Sequence, residues 1–116
     1  MNTKNPYEYL KVDCLADVEP VEPQSTWIIT DSDNERITIY TSQLDSGYWV
    51  YGYMVNWARN RISTQTPTAS LGLFNSQREA KLYAVGFFKL YLDYFLDETK
   101  ESIRLAETSL LQASLF

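Results

Sequence analysis

The hydrophobic period of this chain switches from two to three-and-a-half, and that switch restricts the folds open to it. In "STWIIT" (residues 25–30) and "RITIYTS" (36–42) apolar and polar side chains trade places, with Ile37 and Ile39 alternating against Thr38 and Tyr40. That is the period of a strand with one buried face. Further on, Ala80, Ala84, Phe87, Phe88, Tyr91, Phe95 and Leu96 recur at steps of three and four, the period of a helix with an apolar stripe. Ser76 followed by Glu79 marks the boundary. A serine three residues before a glutamate matches a capping box, in which hydroxyl and carboxylate satisfy free amides of the first turn, so the helix is expected to begin at Gln77.

Between these regions, "DSDNE" (31–35) reads as the turn of a β-hairpin, and "LDSG" (44–47) as a second turn in which Gly47 can take positive φ. The stretch "GYWVYGYMVNWARNRIS" follows as a long third strand. "RISTQTPT" (61–68), with Pro67, has loop composition, and "ASLGLF" (69–74) is a short apolar run offering a fourth strand. The helical register runs on through Thr99, Ile103, Ala106 and Leu110 without Gly or Pro. Typical helix lengths favour a break at "LDETKES", with Asp97 or Thr99 as a new cap, and hence two helices rather than one. The fold class expected is α+β: an antiparallel sheet of three or four sequential strands, in the order β-β-β-(β)-α-α, with a long amphipathic helix packed on one face.

Residues 1–24 show no sustained period. Pro6, Pro20 and Pro23 and interspersed acids suggest a short element around Tyr7 to Leu15 and an extended Pro-Glu linker draped over the domain of residues 25–116. The chain has 116 residues, 45% hydrophobic and 22% charged, the balance of a single globular domain. It has no apolar run of transmembrane length and no signal-peptide core near its first residues, so a cytoplasmic location and no membrane partner are expected.

The function classes are narrowed by what is missing. There is no histidine and only one cysteine, Cys14, so His-activated nucleophiles, His-based zinc sites and multi-cysteine metal sites are excluded. No phosphate-binding loop, dinucleotide fingerprint, EF-hand or nucleophile elbow is present. A non-enzymatic role without cofactor or metal is expected. Cys14 reads as a small buried hydrophobe, since nothing near it in sequence would lower its pKa. "DSDNE" has carboxylates spaced like the start of a calcium loop but lacks the glycine and distal glutamate.

Charge is unevenly spread. Residues 1–45 carry nine acids and three bases, residues 46–90 one acid and five bases, and residues 91–116 five acids and two bases, giving −6, +4 and −3. Such asymmetry bears on partners rather than on fold. Alternation in the third strand puts Trp49, Tyr51, Tyr53 and Trp57 on one face, with Arg59 and Arg61 continuing it. Three interpretations compete: a core face under the helix, a protein-binding face whose rings act as a hot spot, and a nucleic-acid platform. In the last, rings stack on bases while Arg59, Arg61, Arg78 and Lys81 contact phosphates. The acidic run Asp13, Asp17, Glu19 and Glu22 either solvates a linker or meets a basic surface on a partner.

A small, acidic, histidine-free chain without a catalytic constellation is similar in general character to the accessory and inhibitor proteins of phages and mobile elements. The expectation is therefore a protein-binding module that inhibits a host protein by surface occlusion, with nucleic-acid binding as the alternative. The apolar C-terminus, "LLQASLF", either packs back on the sheet or meets a second copy in a homodimer.

Overall fold

The structure, a computed structural model, describes residues 20–57 and 61–113. Four strands, β1 (Ser25–Asp31), β2 (Arg36–Gln43), β3 (Trp49–Trp57) and β4 (Arg61–Thr68), form one antiparallel sheet in sequential order. Two helices follow, α1 (Gln77–Lys89) and α2 (Asp97–Ala113), separated by a 3-10 turn at Leu92–Tyr94. This is the α+β arrangement that the change of period predicts. The expected element around Tyr7 to Leu15 lies outside the described residues.

Register decides which side chains meet the helices. Trp27, Ile39 and Tyr53 stand opposite one another across β1, β2 and β3, as do Ile37 and Val55 on β2 and β3. These residues share one face of the sheet, because opposed residues point the same way. α1 lies on that face over β2 and β3, and α2 packs beside α1 and against β1. Ile37, Ile39, Tyr51 and Val55 are buried beneath Ala80, Ala84, Val85 and Phe88, and Ile103, Ala106 and Leu110 close the core from α2. The two alanines matter here, since short side chains let the helix backbone approach a strand that already carries large rings.

The serine half of the capping box forms as expected, with Ser76 Oγ accepting from Glu79 N–H at 3.1 Å, while Glu79 Oε2 reaches one residue further back and accepts from Asn75 N–H at 3.0 Å. The chain also breaks into two helices. Thr99, however, does not cap the second: it is fully buried, and its hydroxyl makes no hydrogen bond among the described residues. Instead Glu35, from the β1–β2 hairpin, accepts the Leu96 N–H at 2.9 Å just before α2 begins. "DSDNE" is thus a hairpin turn, closed by Ser32 Oγ accepting from Glu35 N–H at 3.0 Å, while its last carboxylate is buried rather than solvated.

The fourth strand is "RISTQTPT", not "ASLGLF". Its threonines and isoleucine suit a pleated surface, and Pro67 is accommodated because β4 is an edge strand that shifts register opposite Tyr51 and Tyr53. At that bulge the β4 backbone closes over Gly52, where any Cβ would overlap the Gln65 carbonyl oxygen and the Pro67 nitrogen. "ASLGLF" forms a 3-10 turn at Ala69–Leu71 and a single bridge between Phe74 and Trp49.

On the opposite face of the sheet, residues 20–24 form a strap. Val21 N–H donates to the Pro67 carbonyl of β4 at 2.8 Å, and Gln24 N–H donates to the Thr41 carbonyl of β2 at 3.0 Å. Between these anchors the Ser42 hydroxyl donates to the Glu22 carbonyl at 2.6 Å. The strap thus spans from β4 to β2, and Val50 of β3 is fully buried. The strap covers the β2–β4 end of this face around Ser42 and Val50, and leaves Ile28 and Ile62 exposed.

Candidate protein-binding surface

The four rings that alternation places together on β3 do share a face, and it is the face under α1. Tyr51 is 1% exposed, and Trp49, Tyr53 and Trp57 are partly buried against the core. Tyr53 lies 5.5 Å from Phe87 and 5.7 Å from Phe88, centroid to centroid, and Trp57 stacks on Phe95 at 6.0 Å. These rings pack beneath α1 and against the core, so among the described residues this face of β3 is not an open stacking platform. Burial raises the Tyr51 phenol far above its ordinary pKa of 10.0, chiefly by desolvation, with the neighbouring Tyr83 and Tyr53 adding to it.

Of the four candidate cations, the structure places the side chains of Arg78 and Lys81. Arg59 lies outside the described residues, and Arg61 opens β4 at one edge of the sheet. Lys81 sits 5.2 Å from the ring of Trp27 on β1, the opposite edge. Arg78 Nε donates to the Leu110 carbonyl of α2 at 3.1 Å. α1 therefore turns both of its candidate phosphate contacts toward neighbouring elements of the domain.

What the fold does leave open is the outward side of α1. A cavity of about 590 Å³ runs along this helix from Arg78 to Leu90 and is lined by Leu82, Tyr83, Gly86 and Phe87. Leu90 is 79% exposed, Tyr94 72%, Tyr83 45% and Tyr91 44%. The rings form a continuous series from the core outward: Phe87 lies 5.2 Å from Tyr91, and Tyr91 lies 6.1 Å from Tyr94. At the other end Tyr83 is held 5.1 Å from Phe74 and 6.2 Å from Tyr51. Tyr83 is thus anchored on the buried rings of Phe74 and Tyr51, and Tyr91 on the partly buried Phe87. Gly86 leaves a slot among them, since a Cβ there would meet nothing within 4 Å.

The sequence carries a signal for this surface. A helix covered on one face alone does not need Tyr83 and Leu90, which are exposed beside the buried stripe; apolar residues beyond that stripe imply a second contact. The stripe that points to the sheet is only half of what "EAKLYAVGFFKLY" says.

Other features of partner interest are smaller. Leu105 and Leu111 are exposed on α2, and the last three residues of the apolar C-terminus lie outside the described residues. No helix among the described residues is long and apolar enough to cross a membrane. The fold and this surface define a small α+β domain with one exposed aromatic stripe. Comparison with protein-family models, with curated proteins and with solved structures finds no match.

Proposed function

We propose that this chain is a small, non-enzymatic protein-binding module that acts by occupying a surface of its partner, and that the outward stripe of α1 is the contact. The observation that supports this reading is the cavity lined by Tyr83, Gly86, Phe87 and Leu90 along α1, with the exposed rings of Tyr91 and Tyr94 just past the end of the helix. Rigid aromatic side chains set beside a cavity are the residue types on which binding energy concentrates. A helix face with i, i+4 and i+7 anchors fits an amphipathic helix or an apolar loop of a partner. The acidic balance of the chain, −5 overall, adds steering toward a basic surface around that contact. Inhibition by occlusion, as in the proteins of phages and mobile elements, follows from such a mode of action without any catalytic group.

The test is capture by the tagged full chain from a nuclease-treated bacterial lysate, compared with its Leu90→Glu variant, with the partner then purified and titrated by calorimetry. Affinity is expected to fall at least about tenfold in Leu90→Glu, since hot-spot truncations cost about 2 kcal/mol or more. A partner that binds both proteins equally, or recovery of nuclease-sensitive material alone, would overturn the reading.

A further inference from the structure

The outward stripe of α1 carries a period of its own. Glu79, Tyr83, Gly86 and Leu90 recur at steps of four, three and four, and all four line the cavity, with Leu82 and Phe87 beside them. That spacing is the seam along which one helix packs on another, each large side chain entering a hole between residues of the facing helix. The stripe holds such a knob and such a hole side by side. Tyr83 is 45% exposed and packs on Phe74 and Tyr51, whereas Gly86, three residues on, has open space where a Cβ would stand. A glycine inside a helix lowers its stability relative to alanine, and the sheet does not require one here, because Gly86 is not among the buried residues of α1.

Charge runs along the stripe as well. Arg78 lines the cavity at the start of α1; its Nε donates to the Leu110 carbonyl, and it forms no ion pair among the described residues. Asp93 is exposed just past the other end of the helix and likewise forms no ion pair among the described residues. With a cation at one end and an acid at the other, the stripe is complementary to its own reversal. Two parallel copies would set Arg78 against Arg78 and Tyr83 against Tyr83. Two antiparallel copies set unlike charges together at both ends, and twice bring a ring to a slot.

We infer that α1 pairs antiparallel with α1 of a second copy of this chain, about a two-fold axis midway between Tyr83 and Gly86. Each Tyr83 then enters the slot at the second copy's Gly86, Leu82 meets Phe87, and Arg78 comes level with the turn that carries Asp93. The two arginines stand about 20 Å apart at 1.5 Å per residue, beyond the Debye length of about 8 Å. Such a contact uses the same patch on both copies and closes at two. A seam about 20 Å long and 10 Å wide is well below the ~800 Å² per partner of stable complexes, so the dimer dissociates on dilution. This inference rests on the stripe being a docking surface, as proposed above, and gives the free protein its own occupant: any other partner at the stripe competes with the second copy.

The test is sedimentation equilibrium of the full chain under reducing conditions, which keep Cys14, the only cysteine, out of any cross-link. A dimer with a midpoint between about 10 µM and 1 mM is expected of a patch this small. Gly86→Leu fills the slot and is expected to weaken the dimer at least about tenfold. Its denaturant midpoint is expected to equal or exceed that of the natural chain, since leucine favours a helix and its Cβ meets nothing within 4 Å. A glycine needed inside the monomer would lose stability instead. Arg78→Glu and Asp93→Arg, each alone, are expected to weaken self-association about tenfold, as two attractive pairs become two repulsive ones. An equimolar mixture of these two variants is expected to restore it, because the mixed dimer regains unlike charges at both ends.

A chain that stays monomeric at about 1 mM would overturn the inference. So would a dimer indifferent to Gly86→Leu and to both charge reversals, which would move the contact elsewhere, for instance to the exposed Leu105 and Leu111 of α2. A dimer weakened by Gly86→Leu but not by either charge reversal would overturn the antiparallel orientation. Failure here with Leu90-dependent capture intact removes the second copy and leaves the binding function standing. A dimer broken by Gly86→Leu, with capture insensitive to Leu90→Glu, does the reverse.

Discussion

The inward and outward sides of α1 are both apolar, yet they do different things. Inward, Ala80, Ala84, Val85 and Phe88 are buried against the sheet and α2. Outward, Tyr83, Leu90 and Tyr91 face open space beside a cavity. The difference lies in size and in what opposes them. Small residues are required where a helix must settle on Tyr51 and Tyr53, whereas large residues over a slot leave recesses that a second surface can fill. Hydrophobicity alone identifies neither side as core; the shape of the opposing layer does.

Substitutions can break this contrast, beginning with the inward side. Tyr51→Ala removes a ring wedged between β3, Phe74 and Tyr83, and is expected to cost about 3–5 kcal/mol in chemical denaturation, as for other buried aromatics. A cost under about 1 kcal/mol would show that the ring is peripheral. Glu35→Ala strips the acceptor from the Leu96 N–H where α2 joins the hairpin. A loss of about 1–3 kcal/mol is expected, the range for losing a part-buried hydrogen bond to a charged acceptor, with faster amide exchange at Leu96 as its local signature.

A third effect is tied to pH. The folded state holds the Tyr51 phenol protonated beyond the pKa of 10.0 it has when exposed, so the unfolded chain loses a proton first. Stability from this group is fully present below pH 10 and falls as pH rises beyond it, by at most about 1.4 kcal/mol per pH unit. Urea midpoints measured from pH 9 to 11 are expected to fall more steeply for the natural chain than for Tyr51→Phe. The smallest effect belongs to the outward side. Leu90→Glu is expected to leave the unfolding free energy of the domain within about 0.5 kcal/mol, and a larger loss would make Leu90 part of the core.

Much of this architecture is legible in the sequence. Alternation gave β1, β2 and β3, and Ser76 with Glu79 gave the first residue of α1, because these signals are local and no tertiary contact opposes them. β4 was missed because Pro67 and a run of threonines resemble a loop; only an edge position next to Gly52 lets that proline stand in a strand. The aromatic face of β3 was correctly grouped but its side of the sheet was not decided, since a period of two assigns partners to one face without saying which face a helix will cover. Glu35 looked like a solvated turn residue because its acceptor role depends on a helix start 61 residues away.

The sequence by itself determined the elements, their order and the pairing of faces, because period, capping and turn chemistry act over a few residues. Tertiary structure alone decided which apolar face became core. That choice depends on how α1 crosses the sheet, how α2 fills the β1 side and how the strap from Val21 to Gln24 covers Ser42 and Val50 on the far face. It also left the outer rings of α1 exposed: two helices cover three strands, and the described part of the chain offers no third helix to cover the fourth.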